Sequence, residues 1–361
     1  MKRKKMVLVI VSCLSIILIA FLIYVSIGMA RMKKVPSLSF KDALEYTTKG
    51  NKEALITVGI IKDGKAEYRV YGENGKEVED RLCTYEIGSI TKTITALMVK
   101  RAEKEGKLEL DDTLDKYLSL PEGKKYPKII DLLTHTSGYK PYYFESPMIE
   151  NFFKGRNDFY GINGEMIIDR VGKVNLDKES YSFYYSNFGF AVLGLVLENV
   201  YGESWKNLAD DFLLSEIGLK NTHVSDGSGD LGNYWDWRDD DAYLSAGSVT
   251  SNICDMLKYA EYYLKNDELY RECQESVKTI NASSSSYKTM GINMDEIGLS
   301  WIIDRGNEIV WHNGGTGHYN SYIGFSKENN TAVVILSNLA PDYRIPATVL
   351  GVKLLLETIE D

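Results

Sequence analysis

The sequence predicts an α+β domain of the α/β/α sandwich type. Strands from the N- and C-terminal parts of the chain form one antiparallel sheet, helices flank it, and a mainly helical region is inserted between the two sets of strands. Three observations predict this. Strand-like alternation clusters near residues 55–87 and returns near 298–337. The stretch between them reads mainly as helix and loop. A last apolar helix pattern runs from about Pro346 to Thr358. The order strands, helices, strands, helix suits layers packed about one sheet.

The elements follow in chain order. The first 34 residues stand apart: Lys2-Arg3-Lys4-Lys5 precedes an uncharged, almost wholly apolar run from Met6 to Ala30, closed by Arg31, Lys33 and Lys34. Twenty-five residues exceed the ~20 that a membrane-spanning helix needs. They also exceed the ~7–15 apolar residues of a secretory signal. Residues 1–34 are therefore expected to be a short cytoplasmic tail and a transmembrane anchor, with a cleaved signal segment as the alternative. Residues 35–361 are expected to be one domain outside the membrane. Its lead-in carries a short helix around Phe40 to Thr48. Leu55 to Ile61 and Ala66 to Tyr71 alternate apolar and polar residues about Lys62-Asp63-Gly64-Lys65, a hairpin signal. A third strand near Thr84 to Ile87 leads into an amphipathic helix, in which Ile94, Leu97, Met98 and Ala102 recur at helical spacing.

Leu132-Leu133 and Phe190 to Val200 are the most apolar parts of the central block. Asn252 to Leu264 reads as a helix with Ser251 as its cap. Gly298 to Ile303, Glu308 to Trp311, Ser321 to Ser326 and Ala332 to Ser337 read as strands. The serine run Ser283 to Ser286 and the acidic Asp239-Asp240-Asp241 run read as exposed loops.

Composition narrows the function. The net charge is −9, and removing the first 34 residues, with seven basic and no acidic groups, leaves −16. An acidic surface argues against nucleic acid as a partner. Cys83, Cys254 and Cys273 are an odd set at irregular spacing, not a disulfide framework. The four histidines (135, 223, 312 and 318) show no zinc spacing. No metal and no cofactor are expected.

Ser89-Ile90-Thr91-Lys92 places a hydroxyl and an amine on one helical face, one turn apart. A serine hydroxyl needs a base to become a nucleophile, and a neighbouring amine can supply it. The same spacing occurs at Ser137…Lys140 and Ser285…Lys288, but only Ser89 lies between a strand-like and a helical segment. Read alone, Ser89 would be a helix N-cap. Two further motifs follow. Tyr185-Ser186-Asn187 is the only Tyr-x-Asn among 25 tyrosines, and His312-Asn313-Gly314-Gly315 follows the strand that ends at Trp311.

This ordered set resembles the serine β-lactamase and penicillin-binding-protein superfamily, whose class A members carry Ser-x-x-Lys, Ser-Asp-Asn and Lys-Thr-Gly. The Tyr-x-Asn form resembles the class C β-lactamase, D-Ala-D-Ala carboxypeptidase and esterase branch. Leu132 to Gly138, Ile217 to Thr222 and Ala246 to Asp255 are also similar to segments of that branch, and the likeness covers roughly residues 40–358.

The resemblance implies a β-lactamase/transpeptidase-like fold and acyl transfer. Ser89 attacks a carbonyl, Lys92 and Tyr185 share the general-base role, and which of them is the base stays open. Asn187 binds the acyl amide. The backbone N–H groups of Ser89 and Gly315 form an oxyanion hole, for which the absence of a side chain at Gly315 allows close approach. His312 and Gly314 bind substrate. His312 stands where class C enzymes have a lysine. It is expected to be mostly neutral near pH 7 and to titrate close by, which weakens the case for an efficient β-lactamase.

His135 is read as a structural hydrogen-bonding residue, His318 as a rim residue, and Trp235, Trp237 and Arg238 as cleft lining. The implied substrate is a small peptide, amide or ester of the bacterial cell envelope, D-alanyl in type. The implied location is the cell membrane, single-pass with the catalytic domain outside, or secreted after signal cleavage. A β-lactamase or general esterase, and a penicillin-binding sensor with slow turnover, remain the alternatives.

Overall fold

The computed structural model describes residues 34–360. The expected anchor or signal segment, up to Lys33, lies outside the described residues.

The strands are β1 (Ile56–Lys62), β2 (Lys65–Tyr71), β3 (Glu77–Val78), β4 (Tyr85–Glu86), β5 (His223–Val224) and β6 (Val249–Ser251). They continue as β7 (Lys278–Thr279), β8 (Glu296–Ile297), β9 (Ile302–Asp304), β10 (Ile309–Gly315), β11 (Asn320–Ser326) and β12 (Thr331–Ser337). Nine of them make one sheet in the order β3-β2-β1-β12-β11-β10-β9-β8-β7. Strands from the N- and C-terminal parts of the chain meet inside it, where β1 pairs antiparallel with β12, Ile56 opposite Ser337 and Lys62 opposite Thr331. Asp63 and Gly64 close the β1–β2 hairpin at φ 51° and 73°, the left-handed pair that a tight two-residue hairpin needs.

The sheet is covered on both faces. On β12, Val333 and Ile335 belong to one apolar core with Leu44 and Leu350. The alternate residues Ala332, Val334 and Leu336 belong to the other core with Ile253 and Leu257. The two helices Phe40–Thr48 and Ala347–Glu360 thus pack on one face, and Ile253–Lys265 packs on the other. Strand alternation sends successive side chains to opposite faces, so a fully buried strand reads as a continuous apolar run.

The helical insert lies between β4 and β7. Its longest helix, Asn187–Tyr201, is capped by the Ser186 hydroxyl, which accepts from Gly189 N–H at 2.9 Å. A shorter helix, Pro147–Lys154, leaves Phe152 and Phe153 exposed at 75% and 81%.

Three local expectations are corrected. The Thr84–Ile87 strand does not join the main sheet. That edge is closed by β3, and β4 pairs instead with β6 in a separate three-stranded sheet. The serine run is not a plain loop, because the Ser284 hydroxyl caps a short helix, Ser285–Thr289, through Tyr287 N–H at 3.1 Å. Asn252, not Ser251, caps the Ile253–Lys265 helix, since Ser251 is taken up by β6.

Candidate active site

Ser89 sits on a short 3-10 turn, Gly88–Ile90, that runs into the helix Thr91–Lys104. Its hydroxyl does not cap that helix. It meets Lys92 Nζ at 2.9 Å, and the same amine donates to the Ala246 carbonyl at 2.6 Å. Lys92 is completely buried. It lies 5.0 Å from the centre of the Tyr185 ring and 5.7 Å from that of Phe190. Desolvation holds its amine well below the ordinary lysine value, because burial disfavours the charged form. A neutral amine at this distance can accept the Ser89 proton.

Tyr185 moves the opposite way. Burial raises its phenol above the ordinary value, and hydrogen bonding with Ser89 opposes that rise. The environment therefore favours a neutral amine beside a neutral phenol. Tyr185 is placed by His135, which adopts φ +54°. Its Nδ1 accepts from Ser186 N–H at 3.0 Å, its carbonyl accepts from Tyr184 N–H at 2.8 Å, and its ring lies 4.3 Å from that of Tyr185. Residues on either side of Tyr185 are thus bonded to one buried histidine.

The opposite wall is backbone. A β-carbon at Gly88, itself at φ +50°, would stand 2.5 Å from Gly315 N, and one at Gly314 would stand 1.9 Å from the Ile87 carbonyl oxygen. Only glycine permits that approach. Ser321 Oγ fixes the register by donating to the same Ile87 oxygen at 2.8 Å. The turn that carries Ser89 is thereby pressed edge-on against β10, with the backbone nitrogen of Gly315 next to it.

His312 lies in this wall at 2% exposure, its ring 6.5 Å from that of Tyr185. Burial chiefly pushes it down to about 3, and its Nδ1 contact with the Asn313 carbonyl at 2.7 Å opposes that shift. A neutral ring donating from Nδ1 keeps Nε2 as an acceptor. The expectation that this histidine titrates near neutrality is therefore corrected. The sequence does not reveal that the ring is almost wholly buried in the cleft wall.

Ser89, Tyr185, His312, Gly314 and Gly315 line one cleft. Its apolar walls are Phe183, Trp235, Tyr287, Met294, Trp311 and Pro341, and no lysine or arginine is among its described lining residues. Lys92 lies beneath it. Asn187 is half-buried on the first turn of its helix and is not part of the lining. Trp237 and Arg238 are not lining either, and Arg238 pairs with Asp240 at 3.0 Å. His318 is exposed.

Sequence reasoning missed Tyr287, whose ring stands 6.2 Å from Trp311, and Glu86, buried at 3% exposure behind the cleft. A tyrosine beside four serines carries no pattern that distinguishes it. Glu86 did carry a signal, as an acidic residue inside an apolar strand three positions before Ser89.

Residues 47–353 match the family described as Beta-lactamase. The chain belongs to the beta-lactamase family. Its large antiparallel sheet flanked by helices is the fold of that family of serine hydrolases. It is 23% identical over 313 residues to protein flp of Staphylococcus aureus strain MW2, a match covering 79% of this chain and 59% of that protein. The chain thus spans little more than half the length of that relative. It is also 23% identical over 331 residues to a beta-lactamase of Pseudomonas fluorescens, covering 78% of this chain and 88% of that protein. Among solved structures, it superposes on a beta-lactamase/D-alanine carboxypeptidase from Yersinia pestis with TM-score 0.70 and 18% identity, covering 91% and 99% of the two chains.

Proposed function

We propose that this beta-lactamase-family chain is an extracytoplasmic hydrolase, tethered by its apolar N-terminal run, that works through an acyl-enzyme on Ser89. The observation that carries the reading is the completely buried Lys92 amine 2.9 Å from Ser89 Oγ. Lys92, held neutral, takes the proton as Ser89 attacks a carbonyl carbon. The carbonyl's electron pair moves onto its oxygen, which the backbone N–H groups of Ser89 and Gly315 receive. Collapse of this intermediate expels the leaving group, which takes its proton through Tyr185. Water then hydrolyses the acyl-enzyme by the same relay in reverse. With a peptide substrate, Asn187 would meet the acyl amide at the edge of the cleft.

The substrate we propose is a D-alanyl peptide or ester of the bacterial envelope. The cation-free lining favours the ester, or an amide inside a longer chain, over a substrate that ends in a carboxylate. A free carboxylate entering an apolar cleft without a cation bears an uncompensated desolvation cost, and neutral His312 offers it no charge.

Labelling with a fluorophosphonate probe or a tagged penicillin tests the nucleophile. Wild type is expected to be marked and Ser89→Ala unmarked, and equal marking would refute the assignment. Mass spectrometry of envelope fragments incubated with the enzyme tests the substrate. Release of D-alanine from an ester is expected to exceed its release from stem peptides, and the reverse order would overturn the preference.

A further inference from the structure

We propose that the Glu86 carboxylate is the positioning residue of this cleft, holding the Trp235 wall and the Gly315–Gly317 wall in register with Ser89. The proposal rests on Ser89 being the nucleophile.

A carboxylate is seldom buried without a cationic partner. Glu86 is 3% exposed, and its contacts are two neutral donors from two different walls. Oε1 accepts from the backbone N–H of Trp235 at 2.7 Å, and Oε2 accepts from the Thr316 hydroxyl at 2.5 Å. Trp235 lies in the long loop that precedes β6, while Thr316 directly follows Gly315 at the end of β10. Both residues line the cleft, and Glu86 itself lies three residues before Ser89 on β4. One side chain therefore joins the segment leading to the nucleophile, the aromatic wall and the end of the oxyanion strand.

The loop has other ties, to the residue preceding β4 and to the β10–β11 turn. Asp230 accepts from Thr84 N–H at 2.8 Å, Tyr234 donates to the Thr84 carbonyl at 2.7 Å, and Tyr319 donates to the Gly232 carbonyl at 2.7 Å. These fasten the base of the loop. The Glu86 bond is the tie at Trp235 itself, the residue that reaches the cleft.

Ionisation decides how well the clasp works. A carboxylate accepts at both oxygens, whereas a carboxylic acid carries a proton on one of them. Burial raises Glu86 to about 7 against both hydrogen bonds. Around it stand Thr250, opposite on β6, Thr316 and Tyr319 from the β10–β11 turn, and Tyr234 and Trp235 from the loop. Of these only the tyrosines titrate, and burial keeps both above their ordinary value. The clasp is therefore complete above neutrality and loosened below it.

The test uses the full chain, an ester substrate and Trp235 as a reporter, with Trp235→Phe subtracted to isolate that indole. In wild type, acrylamide quenching of Trp235 is expected to rise as pH falls through about 7. In Glu86→Gln it is expected to stay flat. Activity at pH 8 is expected to fall from wild type to Glu86→Gln to Glu86→Ala. The first step should cost about tenfold in kcat/KM, mainly through KM, the scale of one weakened charge-assisted hydrogen bond. If Glu86→Ala does not fold, Thr316→Val replaces it and is expected to shift the quenching midpoint upward, because the ionised form loses a donor. Flat wild-type quenching, or an unchanged KM in Glu86→Gln, overturns the proposal. Wild type that takes no covalent probe at Ser89 would instead overturn the proposed function, and the quenching result would stand independently of it.

Discussion

The two sides of the cleft are built on opposite principles. The floor, Ser89 to Lys92 with Tyr185, is made of side chains whose protonation is set by burial: a lysine held down and a tyrosine held up. The facing wall, His312 to Gly315, is made of backbone that approaches the Ile87–Gly88 segment more closely than any β-carbon allows. On the proposed mechanism, reactivity resides in the floor and position in the wall. Substitutions on the two sides should therefore fail in different ways, one in rate and the other in folding.

The largest separation is expected at Ser89. Ser89→Ala should abolish covalent labelling and hydrolysis while leaving the unfolding free energy within about 0.5 kcal/mol of wild type, as read by thermal circular dichroism. A large loss of stability would mean that the hydroxyl is a structural group. Lys92→Met should come next. It keeps the packing and removes the base, and should lower kcat by about 10²–10⁴-fold. The same variant should be at least as stable as wild type at pH 7. A lysine depressed in the folded state binds fewer protons than in the unfolded chain, so wild-type stability rises with pH and the advantage of methionine shrinks toward pH 10. A pH series of melting curves checks that slope.

Gly314→Ala tests the wall. Its β-carbon would fall 1.9 Å from the Ile87 oxygen, a clash with backbone that should cost about 3 kcal/mol or more. Denaturant unfolding should show the loss, and a variant as stable as wild type would break the comparison. The smallest effect is expected at His312. Its folded value, about 3, lies below that of the unfolded chain. Stability tied to this ring is therefore complete above about pH 6.5 and is lost as pH falls toward 3. His312→Gln should flatten this acid-side decline without moving the melting temperature at pH 8.

Most of the architecture was legible because it rests on periodicity. The β1–β2 hairpin, the buried strands β11 and β12 and the last helix all announce themselves through apolar spacing and an Asp-Gly turn. The partner of β4 was not legible, since two strand residues carry no register and the choice between two sheets is tertiary. In the site, Ser89, Lys92, Tyr185, His312, Gly314 and Gly315 stood out by motif, and the structure gathers all six around one cleft. Asn187 stood out equally but sits at the margin. What sequence could not give was solvent access. His312 reads as a titrating residue until its ring is seen to be buried, and Glu86 stands out as an acidic residue in an apolar strand but has no role until both its oxygens are seen to be engaged.

The seam between Gly88 and Gly315 also determines where this protein can change its diet. Because main chain rests on main chain there, neither side can be reshaped by exchanging a residue, and widening the gap would pull Ser89 away from β10. Adaptation to a bulkier or more polar substrate has to proceed on the other flank, through Phe183, Tyr287 and Met294, side chains that can be resized without moving the seam. A mutant library confined to those three positions should retain the reaction and vary its substrate, whereas one drawn across the seam should consist mostly of misfolded chains.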